Sequence, residues 1–335
     1  MTKKKIINIA TSFSGIGSPE QALRKLGLEH NIVFAGDIDD YCKQSYFANY
    51  NISEKDWHCD VKEFDSTPYK GMVDIFVGGS PCQSFSVMGK RKGLEEARGT
   101  LFYEYARIVS ETQPKVFIYE NVTGMLNHDG GNTWKVISGI FDDLGYYWKH
   151  WILNAKDFGL AQNRRRIFAV GFRKEYKGCF NKLIEPQKRE LELEVKDFLD
   201  KDIPNKYYLP TKGFTRVTDP KQIKHIALNN KISRCQVACQ QYNWFGDMRF
   251  ETEIPERLEI DERIHKGEYN GVRGVTRTLT PRECLRLMGF PEDFKIVVND
   301  TQMYRQSGNS IAVNVIQEII HSICKTGIFD CKDEK

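Results

Sequence analysis

The sequence predicts an α/β fold: a doubly wound, mostly parallel sheet in its first half, followed by a smaller irregular domain. Three observations carry this prediction. Short apolar runs alternate with amphipathic stretches from residue 1 to about 172. A glycine-rich turn, Gly15-Ile16-Gly17, joins the first apolar run to a helical pattern. Beyond 172 the periodicity gives way to charged segments punctuated by Pro and Gly.

Strands are expected at 6–10, 32–35, 73–77, 116–119 and 167–170, where β-branched and aromatic residues cluster between turn signals. Helical periodicity occupies 19–26, 102–109 and 134–144. Strands separated by helices need crossover connections, so the sheet should be parallel, with ligands gathering at the carboxyl ends of its strands. Residues 180–270, including the charge-rich pieces 188–202 and 251–263, read as a smaller and mostly non-helical domain. Order returns at Thr280-Pro281-Arg282-Glu283. There a Thr N-cap, a Pro at the first helical position and a Glu three residues after the cap open a short helix that Gly289 closes. A last helix carries Ile311, Val315, Ile319 and Ile323 on one face. The expected domains are 1–172, 173–300 with the 280–290 helix near a hinge, and a segment 301–335 that returns to the first domain.

Composition excludes several classes. A hydrophobic share of 40% and a charged share of 28% match a soluble globular protein rather than a disordered, collagenous or disulfide-scaffold chain. The formal charge of +4 permits a polyanionic partner without arguing for one. Nine cysteines lie scattered and odd in number, which fits a reducing cytoplasm. The basic start, Met1-Thr2-Lys3-Lys4-Lys5, leads into an apolar run too short for a signal peptide. No run reaches the ~18–20 apolar residues that span a bilayer, so no membrane role is expected. Cys235 and Cys239 lack a second pair at zinc spacing, and no metal site is expected.

Candidate functional residues sit where the strands end. Phe13-Ser14-Gly15-Ile16-Gly17-Ser18 lets backbone approach a ligand, although by itself it reads equally well as a tight strand-to-helix turn. Asp37, at the end of the second strand, can accept hydrogen bonds from ribose hydroxyls, and Asp60 from an adenine amine or simply from its own turn. The strand 73–77 runs into Gly78-Gly79-Ser80-Pro81-Cys82-Gln83, a small polar loop that displays one thiol. The stretch 87–99, rich in Gly, Lys, Arg and Glu, reads as a lid. The strand 116–119 delivers Glu120-Asn121-Val122, and partial desolvation there raises the Glu120 pKa and suits it to share a proton. Gln162-Asn163-Arg164-Arg165-Arg166 abuts the strand 167–170. Three consecutive arginines on extended chain cannot all face one way, so some should point into the site and one away.

Together these residues resemble the DNA (cytosine-5)-methyltransferases of the bacterial and phage modification type. The matches stand in the family's order: Phe13-Ser14-Gly15-Ile16-Gly17, Asp60-Val61, Gly79-Ser80-Pro81-Cys82-Gln83, Arg98-Gly99-Thr100-Leu101-Phe102, Glu120-Asn121-Val122, Gln162-x-Arg164-x-Arg166, Leu279-Thr280-Pro281-Arg282-Glu283-Cys284 and Gln306-x-Gly308-Asn309-Ser310. The resemblance implies a Rossmann-like S-adenosylmethionine-dependent methyltransferase fold with a DNA-recognition domain. It assigns Phe13, Ser14, Gly15, Ile16, Gly17, Asp37, Ile38, Asp60, Val61, Leu101, Asn309 and Ser310 to the cofactor. Asp37 stands where the family commonly has Glu, and Ile38 where a bulky aromatic is frequent.

By the same resemblance Cys82 is the nucleophile that adds to C6 of a flipped-out cytosine, Glu120 serves N3, Arg166 holds the base carbonyl and Glu120, and Arg164 assists in the same pocket. Lys90, Arg91, Lys92 and Arg98 would meet phosphates, and Gln83 would help fill the space left by the base. Asn243, Trp244, Arg249, Arg273 and Arg277 are chemically able to read bases or phosphates. The implied partner is double-stranded DNA, approached by a monomer in the cytoplasm. A cognate restriction endonuclease acting on the same site without direct contact would fit. Three alternatives stay open, one of them a catalytically dead DNA-binding regulator, against which the intact Cys82, Glu120 and Arg166 count. A tRNA cytosine-5 methyltransferase would use the same chemistry. A nicotinamide-dependent dehydrogenase would use the glycine loop and Asp37 but leave Cys82 and Glu120 idle.

Overall fold

The computed structural model describes residues 6–81, 101–222 and 224–330. In chain order the elements are β1 (Ile7–Ser12), α1 (Ser18–Lys25), β2 (His30–Gly36), α2 (Asp40–Asn49), β3 (Trp57–His58), β4 (Ile75–Gly78), α3 (Leu101–Thr112), β5 (Val116–Val122), α4 (Asn132–Asp143), β6 (Tyr146–Asn154), β7 (Arg165–Arg173) and α5 (Lys177–Phe180). There follow α6 (Thr211–Thr218), β8 (Ile226–Leu228), β9 (Gly246–Glu251), α7 (Glu256–Glu259), β10 (Lys266–Tyr269), β11 (Val272–Thr278), α8 (Pro281–Leu287), α9 (Asp300–Asn309) and α10 (Val313–Lys325). The chain forms two compact units: Met1–Asn154 with Arg165–Lys188 and Ile311–Lys335, and Ala155–Arg164 with Arg189–Ser310. These limits differ from cuts at 172 and 300: 155–164 and 301–310 go with the second unit, and 173–188 with the first.

The first unit is built on a seven-stranded sheet in the order β3-β2-β1-β4-β5-β7-β6. All pairs from β3 to β5 are parallel, whereas β7 runs antiparallel to both β5 and β6. The mostly parallel, Rossmann-like sheet agrees with the sequence reading. Two strands in it were not expected. β3 is only two residues long, and β6 carries Lys149 and an exposed His150 along the sheet edge, so its alternation is not that of a buried strand. Because β6 precedes β7 in the chain, β7 turns back against β5, which brings the start of β7 to the same sheet edge as the end of β5.

The core of this unit is aromatic. Phe76, Phe102, Tyr105, Phe117, Tyr119 and Phe141 are buried from solvent, with Tyr105 stacked on Phe76 at 5.1 Å and Phe117 on Phe141 at 4.9 Å. Each such ring contributes on the order of 1.5–3 kcal/mol of transfer free energy. Gly171 in β7 admits the Phe117 ring, which would lie 2.1 Å from a Cβ placed there. Helix α10 buries Val315, Ile319 and Ile323, the expected stripe, and packs on α1. Ile311 precedes the helix rather than extending that stripe.

The second unit holds a four-stranded sheet, β10-β11-β9-β8, in which only β8 and β9 are parallel. The sequence reading missed this sheet because its inward positions include charges: Arg277 is 1% exposed and bonds to Glu251 and Glu283. Helix α8 forms as expected, with the Thr280 side chain accepting from the Glu283 N–H and the Glu283 carboxylate accepting from the Thr280 N–H. Among the described residues no helix is long and apolar enough to cross a membrane.

Candidate active site

The parallel sheet sends the chain to opposite sides of β1 and β4, and this switch point is where an open α/β sheet leaves a crevice beyond its strand ends. Ser12 at the end of β1 pairs with Gly78 at the end of β4, and Gly78 with Tyr119 in β5. The described segments that directly follow those positions start from one end of the sheet.

After β1 the backbone turns sharply. Phe13 has φ 55°, a left-handed conformation that a non-glycine residue adopts only when its surroundings impose it. Ser14 then ties the turn to β2: its N–H donates to the Gly36 carbonyl at 2.9 Å, and its Oγ accepts from the Gly36 N–H at 2.9 Å. Gly15 (φ 55°) donates its N–H to Asp37 Oδ2 at 2.9 Å, while Asp37 Oδ1 accepts from the Asp39 N–H at 3.0 Å. Burial pushes the Asp37 carboxyl above its ordinary value. Gly17 (φ 77°) is needed for space as well, since a Cβ there would fall 2.3 Å from the Tyr50 ring, whose hydroxyl donates to the Gly17 carbonyl at 2.7 Å. Ile16 is buried beneath this loop, so of the expected cofactor residues it shapes the turn rather than its open side.

Beside Asp37, the apolar Ile38 is 77% exposed. Asp60 accepts from the Lys62 N–H at 2.9 Å through Oδ1, the ordinary role of a turn aspartate. Val61 places its side chain in the core and its carbonyl under Arg107 Nη2 at 2.9 Å. Leu101 opens α3 half-buried against the core.

The other half of the edge is tightly built. Glu120 Oε1 lies 3.2 Å from Arg166 Nε, both side chains largely buried. They share one face because Glu120 and Val122 alternate along β5 and Arg166 pairs opposite Val122. A Cβ at Gly79 would stand 2.9 Å from the Glu120 carbonyl and 3.0 Å from its Oε2, so the loop after β4 passes directly over this carboxylate. Asn121 Nδ2 donates to the Ser80 carbonyl at 2.8 Å and to the Tyr119 hydroxyl at 2.8 Å, and that hydroxyl lies 2.9 Å from Ser80 Oγ. The sequence reading did not single out Tyr119, Asn121 or Ser80 as a clamp. The available signal was a side-chain amide, Asn121, at the end of an otherwise apolar strand. Cys82, Gln83, Lys90, Arg91, Lys92 and Arg98 lie outside the described residues.

The arginine run divides as extended chain requires: Arg165 is exposed, and Arg164 and Arg166 are not. Arg166 reaches Glu120, but Arg164 has other partners than those the resemblance implies. It is 3% exposed in the second unit and donates to the carbonyls of Gln236 (2.8 Å), Gly308 (3.0 Å) and Ser310 (2.7 Å). Helix-end carbonyls are strong acceptors for a buried guanidinium, which explains the difference. Asn309 is exposed at the end of α9, whereas Ser310 is buried with its Oγ donating to the Gln306 carbonyl at 2.7 Å.

Arg277 likewise has protein partners. Buried and held by two carboxylates, it anchors β9 and β11 to α8. Arg273 is exposed and, among the described residues, pairs with Glu259, a surface ion pair worth about 0–1 kcal/mol. Asn243 and Trp244 both adopt positive φ, and the Trp244 ring closes over Gly213. Arg249 is half-buried beside Arg277, and burial lowers its pKa.

Comparison with known proteins agrees with this arrangement. A family model for the C-5 cytosine-specific DNA methylases matches residues 7–325. The chain is 35% identical to the Type II methyltransferase M.SsoII of Shigella sonnei over 320 residues, covering 94% of this chain and 79% of that protein. It is 33% identical to the Type II methyltransferase M.HhaI of Haemophilus parahaemolyticus over 325 residues, covering 93% and 92%. Among solved structures its fold is similar to that of a mutant of Spodoptera frugiperda DNMT2, with a TM-score of 0.72 at 21% identity, covering 95% of this chain and 99% of that one. A similar match, TM-score 0.70 at 19% identity and covering 95% and 98%, is made by the S. pombe Dnmt2 methyltransferase.

Proposed function

Because the chain belongs to the C-5 cytosine-specific DNA methylases and is a DNA (cytosine-5)-methyltransferase of the modification type, we propose that it methylates C5 of a cytosine flipped out of a specific duplex sequence, through a covalent bond between Cys82 and C6. The observation that supports this most directly is the buried pair of Glu120 and Arg166 beneath the loop that leads to Cys82.

The cofactor is S-adenosylmethionine. Asp37 keeps acceptor capacity for ribose hydroxyls beyond the N–H groups of Gly15 and Asp39, Ile38 offers an exposed apolar face to an adenine ring, and a Cβ placed at Gly15 would meet no atom of the described residues within 4 Å. Phe13, Asp60, Val61 and Leu101 complete these contacts in the first unit, and Asn309 and Ser310 are assigned by resemblance. When bound, the cofactor supplies an electrophilic methyl group.

C5 of cytosine is a poor nucleophile until a thiolate adds to C6 and turns the ring into an enamine. Cys82 supplies that thiolate. Glu120 gives N3 a proton or a strong hydrogen bond, which makes the ring accept the sulfur. Arg166 keeps Glu120 in place and binds the base carbonyl. Once C5 carries the methyl group, loss of its proton and departure of Cys82 restore the aromatic ring. Duplex DNA would be gripped by Lys90, Arg91 and Arg98, with Gln83 filling the gap and Arg273 meeting phosphate from the second unit. The enzyme would work as a cytoplasmic monomer, with a cognate endonuclease sharing its site but not its surface.

Duplex DNA with 5-fluorocytosine at the target tests the chemistry, because fluorine cannot leave as the C5 proton does. A stable protein–DNA adduct is expected with the wild type and none with Cys82→Ser. No adduct at a verified target would overturn C6 addition. Bisulfite sequencing of DNA from cells expressing the protein identifies the target, and parallel assays on duplex DNA and tRNA separate the two nucleic acids.

A further inference from the structure

Arg164 stands two positions before Arg166 yet holds a different set of partners. Its segment pairs with 233–236: Ser233 N–H donates to the Ala161 carbonyl at 2.8 Å, Asn163 N–H to the Ser233 carbonyl at 2.8 Å, and Gln236 N–H to Gln162 Oε1 at 3.1 Å. The loop that follows presses on the last turn of α9. A Cβ at Gly308 would lie 2.3 Å from the carbonyl carbon and oxygen of Val237. Arg164 rivets the two together, with Nη1 donating to Gln236 O at 2.8 Å and Nη2 to both Gly308 O at 3.0 Å and Ser310 O at 2.7 Å.

The three carbonyls include two at the carboxyl end of α9, where the helix dipole adds negative potential and where intrahelical donors have run out. A cation buried there is held strongly and holds strongly, since hydrogen bonds to a charged group in a dry site exceed neutral ones. A guanidinium suits the task because its fork reaches two chain segments at once, which an ammonium on a flexible stem does less well.

We infer that Arg164 is a positioning residue that fixes the backbone of Gly308-Asn309-Ser310 and thereby sets affinity for the cofactor, rather than a residue that contacts the target base. The inference rests on the assignment of Asn309 and Ser310 to S-adenosylmethionine made above.

The test uses the full-length enzyme and its duplex substrate. Arg164→Met, Arg164→Lys, Gly308→Ala and Arg166→Met are compared with wild type for S-adenosylmethionine Kd without DNA, for its KM, for kcat at saturating cofactor and for thermal melting. Arg164→Met is expected to raise Kd and KM by about tenfold or more while kcat stays within about threefold. Arg164→Lys should recover part of the loss. Gly308→Ala should reproduce it by forcing the 235–238 loop off the helix end, with the double variant less than additive. Arg166→Met should lower kcat and leave Kd unchanged. The inference fails if Arg164→Met behaves like Arg166→Met, or if it binds cofactor as the wild type does. Should Arg164→Met not fold, unchanged cofactor affinity in both Arg164→Lys and Gly308→Ala overturns it. A wild-type enzyme that binds no S-adenosylmethionine instead overturns the cofactor assignment, and the inference with it.

Discussion

Glu120 and Arg166 are separated by 46 positions yet form one largely buried ion pair. Glu120→Gln preserves shape and loses the charge, so turnover should fall by about 10²-fold or more while cofactor affinity is retained. An equal loss in cofactor binding would show that Glu120 acts on the pocket rather than the base. The two loop glycines divide differently. Gly15 needs only its positive φ, which costs another residue about 1–2 kcal/mol, whereas Gly17 also has the Tyr50 ring 2.3 Å from any added Cβ. Gly15→Ala should therefore lower the urea unfolding free energy by about 1 kcal/mol and Gly17→Ala by about 3 kcal/mol or more. Equal losses would refute the steric account. Both glycines could be read from the chain as a turn, but the ring that demands Gly17 lies 33 positions away.

At the level of elements, helix α8 shows how a local signal can serve a distant end. Thr280 and Glu283 were recognisable as a capping box because three positions suffice to define one. That the Glu283 carboxylate also pairs with the buried Arg277 of β11, alongside Glu251, was not. Thr280→Ala should cost about 1 kcal/mol. Glu283→Ala should cost about 3 kcal/mol, because it leaves a guanidinium that is 1% exposed with Glu251 as its one remaining carboxylate among the described residues. Chemical denaturation of the two variants distinguishes them, and similar losses would mean that the cap rather than the ion pair carries the helix. The parallel strands were legible for the same local reason, being continuous apolar runs between turn residues. The edge strand β6 and the small sheet were not, because an edge tolerates Lys149 and His150, and paired charges replaced the alternation that marks a half-buried strand.

For the whole molecule, pH acts on the two units in opposite directions. In the first unit burial lowers the His58 pKa from 6.5 to about 4, so its contribution is present above pH 6.5 and is lost as pH falls toward 4. In the second, burial raises the Asp247 carboxyl from 3.8 to about 6. The folded protein then holds a proton that the unfolded chain has released, and that contribution is present below pH 3.8 and lost as pH rises through 6. Asp247→Asn should accordingly stabilise the protein relative to wild type above pH 6, with the difference shrinking as pH approaches 4. Denaturant unfolding at several pH values reads this directly, and a pH-independent difference would remove Asp247 as the titrating group.

The chain taken alone was enough to specify turns, caps, strand ends and the order of its motifs, since each depends on a few neighbours whose conformational preferences act over one turn or one pleat. The partners of the buried charges came from the folded state. Arg164 finds its acceptors 72 and 146 positions away, and Arg277 and Arg164 are held by carboxylates and carbonyls that no spacing in the sequence announces. A guanidinium offers the same five donors wherever it stands, so its function is set by what folding brings within 3 Å of it.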